Sequence, residues 1–466
     1  MSGEVAQTIV ALSSAPGRGG VSLVRISGLQ TAETLRALAK NAERMIASPR
    51  ELVFSQIFEV TNSGDKQPLD YGMGVFFPGP GSFTGEDVAE VHLHGSPYLV
   101  RRFLESAVTL GVRLARPGEF TERAFLNGRI DLVQAEAVAD LVHAETESQA
   151  FVARRQLEGQ LSGVLLEIGE PLRDLLSEIE AYIDFPDEEL DGLLVEGWRR
   201  RTIETRERIA KLLLTFESGR VLREGASVVI VGLPNAGKSS LLNALVGEER
   251  AIVTSIAGTT RDSIEEVLSF AGIPVRLWDT AGLVDDSSMR TPDEVELIGI
   301  QQSWKRARQA DLVVFLYDPL SEVPDEQLLL LEQVRSFARR VLVVGNKADM
   351  QPVAVGASPT MQQQMQISAK TGASIEALKA AIAEMIVGEG GFRQGDLQIS
   401  NLRHREALTQ AEERIGDFLL SLDNGLPPEI SALELRAALG SLEEIIGVTE
   451  TEDLLGRIFS RFCIGK

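Results

Sequence analysis

The segment Gly232-Leu233-Pro234-Asn235-Ala236-Gly237-Lys238-Ser239 has the spacing GxxxxGK[ST]. Its glycines let backbone N–H groups turn inward around phosphate oxygens, and a following helix N-terminus adds attraction for anions. Lys238 is long enough to reach the outer phosphates, which makes it a catalytic candidate as well as a binding one, and the Ser239 hydroxyl is an oxygen donor of the kind Mg²⁺ accepts. The expected phosphate-binding stretch is Asn235, Ala236, Gly237, Lys238, Ser239 and Ser240. Farther on, Asp279-Thr280-Ala281-Gly282 ends an apolar run, where Asp279 can reach the metal and the Gly282 N–H the last phosphate. Asn346-Lys347-Ala348-Asp349 ends another. A carboxylate there accepts from both N1–H and the 2-amino group of guanine; adenine has no such donors and leaves the carboxylate unpaired. Ser368-Ala369-Lys370 can supply a backbone contact to the guanine carbonyl.

The stretch Thr254-Ser255-Ile256-Ala257-Gly258-Thr259-Thr260 lies between these motifs and reads as a switch loop, with Thr260 as the second Mg²⁺ ligand. Many Ras-like GTPases place a water-orienting glutamine just after Asp-x-x-Gly. Leu283 stands there instead, so another residue must position the nucleophile. A carbonyl-rich loop beside Asn235 suits a monovalent cation set against the phosphates, a substitute for an arginine's charge. The competing reading of Asn235 is an ordinary turn residue. The order and spacing of these motifs resemble the GTPase superfamily, and predict a GTP site.

The elements that must position them follow from the apolar pattern. Apolar runs at 227–232, 274–279, 312–318 and 341–346 alternate with helical stretches, as in a parallel sheet covered on both faces. Before them, runs at 8–12 and 21–26 flank the turn Pro16-Gly17-Arg18-Gly19-Gly20, and further strands are expected at 52–60, 71–77 and 88–93, with helices at 30–40 and 97–110. From 121 to 216 and again after 391 the period is helical, interrupted at Pro171 and at 184–187. The expected fold class is therefore multidomain α/β and α: an N-terminal α+β domain (1–125), a helical domain in two parts (126–220 and 386–466), and an inserted Ras-like P-loop domain (221–385). Insertion works if the insert's ends lie close together.

The 466 residues are 44% hydrophobic and 24% charged, which excludes a wholly disordered chain, and no apolar run is long enough to span a membrane. An acidic start, Met-Ser-Gly-Glu, argues against a secretory signal. One cysteine, Cys463, permits no intrachain disulfide and fits a cytoplasmic setting. With 46 basic against 68 acidic residues, the net charge of −22 repels phosphate backbones at long range, so nucleic acid would need a local basic patch or a basic partner. Eight arginines and lysines at 197–223 (Arg199, Arg200, Arg201, Arg206, Arg208, Lys211, Arg220, Arg223) form one candidate; solvated helix faces are the plainer reading.

The phosphate loop, the Ala-Gly-Thr-Thr-Arg-Asp switch, Asp184-Phe-Pro-Asp-Glu-Glu189, Arg116-Pro-Gly-Glu-Phe-Thr-Glu-Arg-Ala-Phe-Leu-Asn127 and the final Phe-Cys-Ile-Gly-Lys together resemble the MnmE (TrmE) family of tRNA-modification GTPases, along the whole chain. The resemblance implies a cytoplasmic homodimer formed through the N-terminal domain and a K⁺-stimulated GTPase whose G domains pair. It implies K⁺ held by Asn235 and by the backbone of Thr254, Ile256 and Thr259, and a catalytic Glu296 that orients water. It also implies a tetrahydrofolate site, for 5-formyl-tetrahydrofolate or a relative, at Arg25, Glu90, Arg129 and Lys466. Family members commonly carry lysine where Arg129 stands, and the two cations differ in geometry. The implied partners are tRNA and MnmG, an FAD- and NADH-using protein; together they modify C5 of the wobble uridine. On residue chemistry alone, Glu296 is a solvated helix charge and Arg25 with Glu90 a strand-surface ion pair.

Cys463 is either an inert small residue or, beside Arg461 and Lys466, a thiolate of lowered pKa and a catalytic candidate. His92 and His94 share one strand face, but no third ligand lies nearby in sequence. Asp184, Asp187, Glu188 and Glu189 read as a solvated acidic loop or a cation site. The runner-up function is an RNA-binding ribosome-assembly GTPase switch, which needs no folate pocket.

Overall fold

The computed structural model describes residues 7–61, 63–184, 192–247, 265–278, 304–320, 324–350, 365–387, 398–448, 452–460 and 462–465. The chain forms two compact units, one of Met1–Val142, Gln156–Arg173 and Leu435–Lys466, the other of His143–Arg155 and Asp174–Glu434. No described helix is long and apolar enough to cross a membrane.

In the first unit six strands form one sheet: β1 (Ile9–Leu12), β2 (Val21–Ser27), β3 (Val53–Val60), β4 (Lys66–Phe77), β5 (Val88–His94) and β6 (Arg113–Leu114), in the order β3-β4-β5-β2-β1-β6. Its pairs are antiparallel except β1 with β6. Successive strand residues face opposite ways, so Val24 and Ile26 of β2 and Val91 and Leu93 of β5 enter a core with helices α1 (Thr31–Leu38), α2 (Ala42–Ala47) and α3 (Pro97–Thr109). The intervening Arg25 and Glu90 lie opposite each other in register on the other face. There the short helix α4 (Glu119–Leu126) places Phe120, and α5 (Leu132–Val142) packs Leu132 and Ala135 with Leu455, Phe459 and Phe462 of the C-terminal segment. That segment ends against the sheet: Ile464 bridges Pro117, and Ser13 Oγ donates to the Gly465 carbonyl at 3.0 Å.

In the second unit the strands β7 (Ala226–Val231), β8 (Glu265–Phe270), β9 (Ile273–Trp278), β10 (Leu312–Tyr317), β11 (Val341–Gly345) and β12 (Met365–Gln366) order as β12-β11-β10-β7-β9-β8. All pairs are parallel except β8 with β9. The central strands are apolar on both faces and feed two cores, one on each side, as burial beneath helices requires. Helix α6 (Glu147–Leu157) touches the β8–β9 turn, with Ser148 Oγ donating to the Gly272 carbonyl.

The long helix α7 (Gln160–Asp184) runs through Pro171, where the sequence pattern predicts a break. A proline removes one N–H donor, whereas Ile168, Leu172, Leu175 and Ile179 are all buried along the same rod, and that burial outweighs one lost bond. Helix α8 (Gly192–Leu214) packs on the helix Leu402–Asp423. Then α9 (Phe216–Glu224) enters the α/β sheet, and its Gly219 lies so close to the Ile399 carbonyl that a Cβ there would sit 2.2 Å away. Thr215 Oγ1 accepts from the Ile399 N–H at 3.2 Å, so the chain's entry to and exit from this sheet run side by side.

Candidate nucleotide site

Strand β7 ends at Val231, and after the loop helix α10 (Lys238–Val246) begins, capped by Gly237 at φ 93°. Only glycine suits that place: φ is left-handed, and a Cβ would lie 2.3 Å from Asn346 Nδ2. Gly232 is equally constrained, its would-be Cβ 2.2 Å from the Leu316 carbonyl. Asn235 also adopts positive φ, 61°. Lys238 Nζ donates to the carbonyls of Gly232 (3.0 Å) and Leu233 (3.1 Å), which holds the ammonium over the loop.

The loops after β11 and β12 close on this turn. The Asn346 amide is buried; its Nδ2 donates to the Ala236 carbonyl at 2.9 Å, and its Oδ1 accepts from the Ala369 N–H at 3.0 Å. One side chain thus ties the phosphate loop to Ser368-Ala369-Lys370. Ser368 Oγ donates to Asp349 Oδ1 at 2.6 Å. That bond, aided by Asp349's own N–H and by Lys370, holds the Asp349 carboxyl below its ordinary value. Asn235, Gly237 and Ser240 on one side and Asn346, Lys347, Asp349, Ala369 and Lys370 on the other line a single cleft of about 690 Å³. Ala236, Lys238, Ser239 and Ser368 belong to the same loops. Thr254, Ser255, Ile256, Ala257, Gly258, Thr259, Thr260, Asp279, Thr280, Ala281, Gly282, Leu283 and Glu296 lie outside the described residues. Sequence reasoning passed over Asp318, which follows β10 and binds Lys347 Nζ at 2.6 Å, and Gln366, whose Nε2 donates to Tyr317 Oη at 2.9 Å. Both contacts depend on which strands are neighbours.

On the N-terminal sheet Arg25 grips Glu90 Oε1 through Nε (3.0 Å) and Nη2 (2.8 Å), with the guanidinium 5.7 Å from the ring centres of both Phe83 and Phe120. The Arg129 stem packs on Gly85, where a Cβ would be 3.3 Å from Cγ. Lys466 and Arg461 lie outside the described residues. Arg123, 2% exposed, bonds Glu86 and Glu119 at 3.0 Å each, while Ser27 Oγ donates to Glu86 at 2.7 Å. Burial pushes the Glu119 carboxyl up, but bonds from Arg113, the Arg116 N–H and Arg123 together bring it below its ordinary value.

Cys463 is exposed, and its carbonyl accepts from the Gly118 N–H at 3.4 Å. His94 Nδ1 pairs with Asp70 at 2.7 Å, and the described residues hold no cluster of three or more metal-ligating side chains. Asp187, Glu188 and Glu189 lie outside the described residues. Of the basic stretch at 197–223, Arg199 pairs with Asp423, Arg201 with Glu178, Arg206 with Glu412 and Arg220 with Asp311. Those four charges are balanced by acids of neighbouring elements.

A strand running into a glycine-turned loop at a helix N-terminus, with Asn-Lys-x-Asp and Ser-Ala-Lys closing on it from the next strand ends, defines a P-loop G domain in the second unit. The chain as a whole belongs to the MnmE family. The family description "MnmE helical domain" matches residues 132–463, and "GTP-binding protein TrmE N-terminus" matches residues 8–129. The tRNA modification GTPase MnmE of Alkaliphilus oremlandii is 38% identical over 467 residues, covering 98% of this chain and 99% of its own. Its namesake from Geobacter metallireducens is 41% identical over 98% of this chain and 99% of its own. That of Aquifex aeolicus is 41% identical over 99% of this chain and 100% of its own.

Proposed function

We propose that the chain hydrolyses GTP to GDP and phosphate, and that this turnover drives a tRNA modification. The observation that carries the reading is Asn346: one buried amide joins the phosphate loop to the base-recognition loop, so phosphate and guanine contacts form as one unit. Backbone N–H groups of 235–240 and Lys238 bind the phosphates; Asp349, kept ionised by Ser368, selects guanine by accepting from two donors. The Ser239 hydroxyl and Thr260 would hold Mg²⁺, whose charge offsets that of the phosphates when bound. The left-handed Asn235 at the cleft wall offers the oxygen-type donor a K⁺ ion takes, and with the carbonyls of Thr254, Ile256 and Thr259 it would hold one. Such an ion supplies positive charge in place of an arginine. Glu296 then orients the attacking water where Leu283 is unable to.

The same reading includes a homodimer through the N-terminal domain and an FAD- and NADH-dependent MnmG-type partner, with C5 of the wobble uridine as the site of modification. A tetrahydrofolate would supply the one-carbon unit from a site at Arg25, Glu90, Arg129 and Lys466. The Glu90 carboxylate, paired with an Arg25 that itself lies over two aromatic rings, suits the amino and N–H edge of a pterin. Cys463, exposed beside that sheet, is available as a thiol, and the domains run 1–125, 126–220 with 386–466, and 221–385. The test is Glu296→Ala in K⁺ and in Na⁺ buffers. GTP binding should persist while turnover falls about 100-fold or more, and the wild-type chain should turn over faster in K⁺. Unchanged turnover in Glu296→Ala, or equal wild-type rates in both salts, contradicts the corresponding assignment.

A further inference from the structure

We propose that Asp318 is a positioning residue for nucleotide binding: it anchors the Lys347 ammonium so that the lysine's aliphatic stem forms a fixed wall of the guanine end of the cleft. The inference rests on the guanine-nucleotide reading of that cleft. Lys347 lines the cleft and Asp318 does not. Lys347 Nζ meets Asp318 Oδ2 at 2.6 Å, with the side chains 32% and 16% exposed. Both ends of this bridge are fixed independently. Lys347 has φ 66°, and its neighbours are pinned by bonds from the Ala348 N–H to the Ile367 carbonyl (3.0 Å) and from the Met350 N–H to the Lys347 carbonyl (3.0 Å). A left-handed backbone at a lysine persists only where its surroundings over-determine it. Asp318 is held in turn: its Oδ1 accepts from the Leu320 N–H at 2.9 Å, and its carbonyl from Gln327 Nε2 at 3.2 Å.

A free lysine has several rotatable bonds to freeze when a ring packs on its stem, and the anchor removes most of that cost before the ligand arrives. The head group is engaged, so Lys347 offers its methylenes to the cleft that Asn346 and Asp349 also line. The aspartate belongs to the neighbouring strand end, which is why β10 and β11 must be adjacent for the pair to form.

The experiment is a double-mutant cycle on the full-length protein, read by equilibrium binding and dissociation of a fluorescent N-methylanthraniloyl GDP, with GTP turnover alongside. Asp318→Asn keeps an oxygen for the Leu320 N–H and removes the charge. It should weaken GDP binding about tenfold, mostly through faster dissociation, and leave kcat at saturating GTP within about twofold. Asp318→Glu should stay within about threefold of wild type. Lys347→Met keeps an unbranched stem without its anchor, so it should weaken binding to the same extent, and Asp318→Asn added to it should change nothing further. Lys347→Met also serves if Asp318→Asn misfolds. Wild-type affinity in Asp318→Asn or Lys347→Met, or multiplicative losses in the double variant, would overturn the proposal. A wild-type chain that does not bind the GDP probe at all would overturn the guanine-nucleotide reading itself.

Discussion

The polar face of the N-terminal sheet and the nucleotide cleft of the G domain are built on opposite plans. On the sheet, side chains satisfy side chains: Arg25 takes Glu90, and Arg123 takes Glu86 and Glu119. In the cleft, the key side chains are held largely by backbone: Asn346 spans Ala236 and Ala369, and Lys238 rests on two loop carbonyls. A buried ion network loses stability when one member is removed, because the remaining charges stay desolvated. A cleft of backbone-held groups keeps its N–H donors for an anion, so its side chains can be changed at the expense of binding rather than of folding.

The difference breaks most visibly with Arg123→Ala. Two carboxylates each lose one partner, Glu119 keeping Arg113 and Glu86 keeping Ser27, and the first unit should lose about 3 kcal/mol in urea unfolding. In the cleft, Lys238→Ala should lower GTP turnover at least about 100-fold while the thermal midpoint moves by no more than about 2 °C. A large shift in midpoint there would erase the distinction. Acid titration sharpens it. Glu119 has a folded pKa below its ordinary 4.5, so its contribution to stability is complete above that pH and is lost as pH falls below it. Asp349 is likewise shifted down from 3.8, so guanine-nucleotide binding should be flat from pH 5 to 8 as far as this carboxylate is concerned. The smallest effect concerns Glu122, pushed up chiefly by burial. Its charge costs stability above the folded pKa, and the cost is relieved as pH falls towards 4.5. Glu122→Gln should therefore stabilise the unit at pH 7 by less than about 1 kcal/mol, and the gain should vanish in acid.

How far each region was legible in the sequence follows from the same contrast. The phosphate loop could be read because its chemistry is local: glycines, lysine and serine within eight positions, after an apolar strand. Asn346 and Asp349 were legible as a motif, but the bond from Asn346 to Ala236 needed the fold, since 110 positions separate the two. Asp318 left no signal, because its importance arises from the pairing of β10 with β11. The sheet network was partly visible in Arg116–Asn127, yet residues such as Ser27 and Glu86 join it only through register. Local rules misled at Pro171, where burial on both sides carries the helix onward. They were incomplete at 197–223, where composition shows eight positive charges and only the folded chain shows the acids facing Arg199, Arg201, Arg206 and Arg220.

The most direct test of the account is the identity of the base selected at Asp349. Equilibrium binding of guanosine and xanthosine diphosphates should be measured for the wild-type chain and for Asp349→Asn. A carboxylate pairs with the 2-amino group of guanine, whereas an amide NH₂ pairs with the 2-oxo group of xanthine. The wild type should therefore prefer guanosine diphosphate by about 100-fold or more, and Asp349→Asn should reverse the preference. Unaltered guanosine selectivity in Asp349→Asn would contradict the account.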